Sequence, residues 1–230
     1  MKLLGSEQHK LIFGWTEKCN CTGVVKMFFN EINLLDEALE YNPWIHKYRK
    51  KYMDNNNFDM NTLKYKNYLK IKFVRCPYDR AVSSYLHVCK TKNLPPEYTF
   101  EMFLRSLIDN NKQLNPNVKS HSGHQKCLGE NIKDWNEIVK CENIHDEILR
   151  INKIYGRNFK SNFSSEHWNT NRLINEYTYV GNIPYTSELH KHNYINFYNN
   201  ISRELVERYY RIDIYTFSYN YEDFILRNTN

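Results

Sequence analysis

Between Thr16 and Gly23 the chain reads Thr-Glu-Lys-Cys-Asn-Cys-Thr-Gly, a run in which nearly every side chain has chemistry to offer. Cys19 and Cys21, in C-x-C spacing, are of the type that ligates zinc or cycles through a disulfide. Lys18 and Thr22, with Asn20 and Gly23 around them, are types that hold an anion: a point charge, a hydroxyl donor and a backbone able to turn sharply. Glu17, next to the lysine, is a carboxylate able to accept a proton. A metal would want further ligands close by. His121, His124, Cys127 and Cys141 are of the right type, but no C-x-x-C pair or other compact four-ligand spacing accompanies them. An anion would want a helix N-terminus.

The flanking residues supply one. Lys10 to Trp15 form an apolar, partly β-branched run, which predicts a buried strand ending near Trp15. From Gly23 onward, Val24, Val25, Met27, Phe28, Ile32, Leu34, Leu35 and Leu39 predict one helix, closed by Tyr41-Asn42-Pro43. The first turn of that helix leaves backbone N–H groups unpaired, with the positive end of its dipole directed at the loop. The pattern then repeats. Tyr68 to Arg75 reads as a second strand, and Pro77 opens a helix with Asp79 in its first turn. Arg75 at the strand end, with Ser83 and Ser84 on the helix, can bind a phosphate without a metal. Two such turns after neighbouring strands suit a nucleotide phosphorylated at two separate positions. The nucleotide-hydrolase loop does not fit, because it needs lysine and hydroxyl adjacent, whereas Lys18 precedes Thr22 by four residues.

The remaining pattern predicts a helix over Thr99–Ile108, a long loop after it, a third strand from Glu137 to Asn143, and a helix from Ile144 closed by Gly156. Arg157 to Ile183 reads as polar and irregular, with Tyr177–Gly181 an extended piece. A last helix opens with Ser202 as N-cap and carries Leu205, Val206, Tyr209 and Tyr210 on one face, and the aromatics beyond it read as core. Strands alternating with helices predict an α/β fold, a mostly parallel central sheet flanked by helices, in a single domain over residues 1–230. Ligands of such sheets gather at the carboxyl ends of the strands, where both turns lie.

The 32 Lys and Arg against 26 Asp and Glu give a net charge of +6, spread along the chain. That suits a polyanionic small molecule, and there is no dense basic stripe or recognisable module for nucleic acid. The N-terminus lacks an apolar signal core and no stretch approaches a membrane span, so the chain reads as soluble and cytoplasmic. The six cysteines then read as free thiols, with Cys21 packed beneath the turn and Cys19 incidental.

Taken in order, these motifs resemble the carbohydrate sulfotransferases, the Golgi-type family that uses 3′-phosphoadenosine-5′-phosphosulfate and is grouped as sulfotransferase family 2. Glu-Lys-Cys-Asn-Cys-Thr resembles its P-K-x-x-C-T, and Phe73-Val-Arg-Cys-Pro-Tyr-Asp-Arg-Ala-Val-Ser-Ser-Tyr resembles F-V-R-D-P-Y-x-R-L-x-S-x-Y. His121 to Cys127 resembles the H-W-x-P-Q-x-x-x-C region, and Tyr210-Arg-Ile-Asp-Ile-Tyr-Thr-Phe-Ser-Tyr the C-terminal Y-x-x-D-x-x-x-F-x-Y. Departures are Glu17 for proline, Cys76 for aspartate, and Ser122 and His124 for tryptophan and proline. The resemblance implies a P-loop-like sulfotransferase fold and a metal-free donor site. In it Lys18, Cys19, Asn20, Cys21, Thr22 and Gly23 hold the 5′-phosphosulfate, while Arg75 and Ser83 hold the 3′-phosphate. It implies adenosine 3′,5′-bisphosphate as product and a hydroxyl acceptor, a carbohydrate in the family. Lys18 would neutralise the leaving oxygen, and the base is one of His46, Glu17 and His121. The remaining alternatives are a silent nucleotide-binding module and a basic nucleic-acid-binding protein.

Overall fold

The computed structural model describes residues 1–56, 58, 65–109, 114–163 and 177–229. Parts of the expected polar stretches after Asp54 and Arg157 lie outside the described residues. The chain folds as two compact units, one built from Met1–Arg75 and Cys127–Glu166, the other from Cys76–Lys126 and His167–Asn230.

The first unit holds a four-stranded sheet in the order β1-β2-β3-β4, with β1 Lys2–Ser6, β2 Leu11–Trp15, β3 Leu69–Val74 and β4 Glu137–Lys140. β2, β3 and β4 are parallel, as expected, and β1 adds an antiparallel edge that the sequence pattern does not announce. β2 is buried throughout, so its residues alternate between two apolar faces rather than between core and water. Leu11, Phe13 and Trp15 face one cluster with Phe73 and Val139, together with Val24, Val25, Phe28 and Phe29 of α1, Cys21–Glu31. Ile12 faces the other, with Tyr65 and Trp135. Gly14 lies on that second face, and a Cβ there would stand 2.2 Å from the Trp135 ring, so the glycine is the space into which the indole packs. Burying about 150–250 Å² per aromatic ring makes these layers the main source of the unit's stability.

The single helix expected after Gly23 is two. α1 stops at Glu31, Asn33 takes a left-handed φ of 58°, and α2 restarts at Leu35–Tyr41. Asparagine tolerates that conformation, and the break lets α2 bend back, so that Leu34, Leu35, Ala38 and Leu39 return to the core α1 already covers. Next comes α3, His46–Asn55. α7, Ile144–Tyr155, adds Ile148 and Ile151 to the same cluster and ends as expected at Gly156 with φ 60°. Within the sheet Lys72 is fully buried, its ammonium 2.5 Å from Glu130 Oε1, a carboxylate that also accepts from Trp135 Nε1 and from Cys127 N.

The second unit is helical. α4, Pro77–Lys90, begins with proline at its first position, as expected, and buries one broad face. α5, Phe100–Ile108, is capped by Thr99 Oγ1 accepting from Met102 N. Part of the expected long loop is a helix, α6, Pro116–Ser122, with Asn115 as cap. α8, Asn200–Tyr209, starts earlier than expected: Asn199 is its N-cap and Ser202 is the returning partner of the capping box. α9, Arg211–Thr216, and α10, Tyr221–Thr229, complete the unit. Tyr198 packs edge to face against Tyr78, Tyr221 and Phe224, and donates to the Tyr78 carbonyl at 2.9 Å.

Candidate functional site

The turn between β2 and α1 is a tight cradle. Thr16 O accepts from Cys19 N at 3.3 Å, and two non-glycine residues, Lys18 (φ 68°) and Asn20 (φ 51°), take left-handed backbone geometry. Such strain is held only where surroundings over-determine it, and it tends to occur at functional sites. Left-handed residues in a tight turn can direct neighbouring N–H groups toward one point, a geometry suited to anions. Asn20 is the N-cap of α1 but its side chain makes no capping bond, and the first turn of α1 has no acidic residue. The helix therefore offers its N–H groups and its positive dipole end to a ligand rather than to its own side chains.

Thr22 and His46 meet here: Thr22 Oγ1 and His46 Nε2 are 3.2 Å apart, although 24 residues separate them. α3 places His46 at its first position. Burial, with the Arg49 guanidinium one turn further on as the smaller cause, holds the imidazole down to about 4, so it is neutral at pH 7. Its second nitrogen, Nδ1, is buried without a hydrogen-bond partner. With one nitrogen on Thr22 and the other shut from solvent, His46 is set to orient the threonine hydroxyl.

Arg75 closes the cradle from behind, its Nη1 donating to the Lys18 carbonyl at 3.2 Å. Glu17, partly exposed, lies 3.7 Å from Lys2 Nζ. Gly23 belongs to the first turn of α1, and a Cβ there would stand 2.6 Å from the Asn20 side chain. Lys18, Asn20, Cys21 and Thr22 are all partly exposed at the cradle's rim.

Cys21 packs against the core beneath the turn, as expected, but Cys19 is not incidental. It is fully buried, with its sulfur 3.4 Å from Thr16 Oγ1. Cys21 is half-buried and donates to the Thr16 carbonyl at 3.6 Å. The reason is the backbone: the two left-handed residues flank Cys19 and turn it inward. Burial pushes the Cys21 thiol up to about 11 and Cys141 well above the ordinary thiol range. Protonated thiols that bond to loop carbonyls brace the turn and are poor metal ligands. Among the described residues no group of three His, Cys, Asp or Glu is arranged to hold a metal ion.

In the second unit, Ser84 is fully buried and donates to the His121 carbonyl at 2.8 Å, which gives it a structural task. Ser83, on the same helix, is partly exposed. His121 packs against the His87 ring at 4.3 Å, with Nδ1 2.8 Å from the Asn117 carbonyl. The stretch ending at Lys126 is fastened to α9: the fully buried Asp213 accepts from Gln125 N with both oxygens at 2.9 Å and from Lys126 N at 2.8 Å. Tyr210 adds a bond to the Ser122 carbonyl at 2.9 Å. Two motif stretches far apart in sequence are thus one structural piece.

A strand, a tight turn with a lysine at its rim and an uncapped helix, set at the carboxyl end of a parallel sheet, define the class: an α/β protein with a helix N-terminus open at the end of its sheet. Within that class the chain belongs to the sulfotransferase family, whose family model it matches over residues 1–220. No curated protein and no solved structure matches it. The protein is therefore a sulfotransferase, an enzyme of sulfuryl transfer. Among the described residues no helix is long and apolar enough to cross a membrane.

The helical run ends where Tyr41-Asn42-Pro43 predicts, at Tyr41 of α2. Sequence reasoning named His46 but missed its pairing with Thr22, for which spacing holds no signal, because it depends on how α2 bends.

Proposed function

We propose that the donor is 3′-phosphoadenosine-5′-phosphosulfate and that its sulfuryl group passes to a hydroxyl of a carbohydrate. The observation that carries this reading is the cradle: an uncapped α1 N-terminus behind Lys18, with Arg75 bonded to the Lys18 carbonyl. In this reading the N–H groups of residues 20–23 and the Thr22 hydroxyl hold the 5′-phosphate and sulfonate oxygens. The acceptor oxygen attacks sulfur in line with the bridging oxygen; the new S–O bond forms as the old one breaks, and the electron pair leaves on the 5′-phosphate of adenosine 3′,5′-bisphosphate. Lys18 neutralises that developing charge.

His46, committed through Nε2 to Thr22, fixes the direction in which the threonine donates. Glu17, partly exposed beside Lys18, takes the acceptor proton. Arg75 is the candidate ligand of the 3′-phosphate, and Ser83 joins it on the strength of its motif position. The six free thiols favour a reducing compartment, in line with a cytoplasmic enzyme.

Calorimetry with adenosine 3′,5′-bisphosphate tests the donor assignment. Binding in the micromolar range that weakens in Lys18→Ala, Arg75→Ala and Ser83→Ala is expected, and absence of binding by the wild type would refute it. Incubating donor and enzyme with a glycan panel, and reading sulfate mass increments, tests the acceptor class.

A further inference from the structure

β2 and β3 run parallel and in register, with Trp15 level with Phe73, so the chain leaves both strands at the same end of the sheet and Arg75 emerges beside the turn that follows β2. There the peptide unit joining Lys18 to Cys19 is held at both ends. Its N–H donates to the Thr16 carbonyl at 3.3 Å, and its C=O accepts from Arg75 Nη1 at 3.2 Å. A peptide unit is planar, so fixing both ends fixes its orientation, and with it the left-handed geometry of Lys18 (φ 68°). A residue with a β-carbon resists that conformation, so the hold works against a standing bias. The direction in which the Lys18 side chain leaves the turn depends on it.

The two ends of this peptide are anchored differently. Thr16 and Cys19 are buried, with the thiol 3.4 Å from the Thr16 hydroxyl, so the N–H end is fastened into the fold. The C=O end hangs on Arg75, a partly exposed side chain at the rim of the sheet. A guanidinium carries five N–H donors in a flat fork, enough to serve a carbonyl and a phosphate at once.

We propose that Arg75 is a positioning residue for Lys18, and that the 3′-phosphate of the donor acts on the transfer end of the site through it. A phosphate on one edge of the fork fixes the guanidinium in a single orientation, in which Nη1 holds the Lys18 carbonyl; the strained turn is then firm when a complete donor is bound. The inference rests on the donor reading above for the identity of the phosphate on Arg75. The 3′-phosphate accordingly governs rate as well as affinity. Adenosine 5′-phosphosulfate, which lacks it, loses turnover along with binding, because Lys18 meets the leaving oxygen less well.

Calorimetry on the whole chain compares adenosine 3′,5′-bisphosphate with adenosine 5′-monophosphate, which offers Arg75 no 3′-phosphate. Arg75→Ala is nevertheless expected to weaken the monophosphate by about threefold or more, the worth of one hydrogen bond. The loss should persist in about 0.5 M salt, which screens a charge acting at a distance. The spectroscopic reading is the amide of Cys19, which belongs to the held peptide, followed by NMR in protein carrying isotope-labelled cysteine and identified with Cys19→Ser. In the wild type this resonance is expected to differ between the two nucleotide complexes; in Arg75→Ala it should coincide in both. Unchanged circular dichroism checks that each variant is folded. A monophosphate affinity untouched by Arg75→Ala, a loss that vanishes in salt, or a Cys19 amide identical in the two wild-type complexes would each overturn the proposal, and the donor reading would stand on the bound bisphosphate. A wild type that binds neither nucleotide refutes the donor reading, and the coupling falls with it.

Discussion

Lowering the pH from 7 to 5 should weaken the fold through one residue, His46. Its imidazole titrates near about 4 in the folded protein, against about 6.5 in an unfolded chain. Between those values the unfolded chain has taken up a proton that the folded one refuses, so stability is fully present above the unfolded value and falls as pH drops toward the folded one. Over the interval from pH 7 to 5 the loss amounts to about 2 kcal/mol, at about 1.4 kcal/mol per pH unit through the titrating part, and the ring's partial contact with water trims this to between about 1 and 2 kcal/mol. His46→Gln keeps an amide near the Nε2 position and removes the titration. Urea unfolding of wild type and variant at both pH values gives the difference of differences, which cancels the other histidines. The wild type should lose that much more than the variant. The imidazole resonances of His46, followed by NMR, should stay unprotonated at pH 5.5. Equal losses in the two proteins, or an imidazole that titrates above pH 6, would refute the burial argument and with it the neutral His46 that holds Thr22.

Lys18→Ala is expected to lower kcat by about a hundredfold to a thousandfold, the usual cost of deleting one transition-state donor, with a smaller change in nucleotide affinity; single-turnover sulfation rates check it. Thr22→Val should lower donor affinity by roughly two- to tenfold, the worth of one hydrogen bond, and His46→Gln added to it should cost little more, because the histidine acts through the threonine; a double-mutant cycle of affinities reads this coupling. Glu130→Ala removes the carboxylate 2.5 Å from the buried Lys72 ammonium, so a destabilisation of about 3–5 kcal/mol is expected in denaturant unfolding, largely relieved by adding Lys72→Met. Asn33→Ala removes the short polar side chain that lets this residue tolerate left-handed geometry between α1 and α2 and should cost about 1 kcal/mol in the same assay.

The parallel strands and the helices that follow them were legible because period and punctuation agree. β2 and β3 are short apolar runs that stop at a turn, Pro77 marks the start of α4, and Gly156 marks the end of α7. The break at Asn33 was not legible, since Leu34, Leu35 and Leu39 continue the apolar spacing of α1 and return to the same core. Periodicity records which residues are buried, and a helix folded back on itself buries them just as a straight one does. β1 escaped because a five-residue edge strand interrupted by Gly5 has no pattern of its own. At the site, residue types pointed to the cradle, to Lys18 and to Thr22. The inward turn of Cys19 and the approach of His46 depend on left-handed residues and on the course of α2, neither of which spacing records.

Asp213 holds the Gln125–Lys126 segment by its main-chain N–H groups. A carboxylate that reads backbone is indifferent to the side chains hung on that backbone. A change of side chain at Gln125 or Lys126 therefore leaves these bonds in place so long as the peptide units keep their path. The anchor acts from 88 residues away in sequence, so the shape of one stretch is fixed by a residue of another.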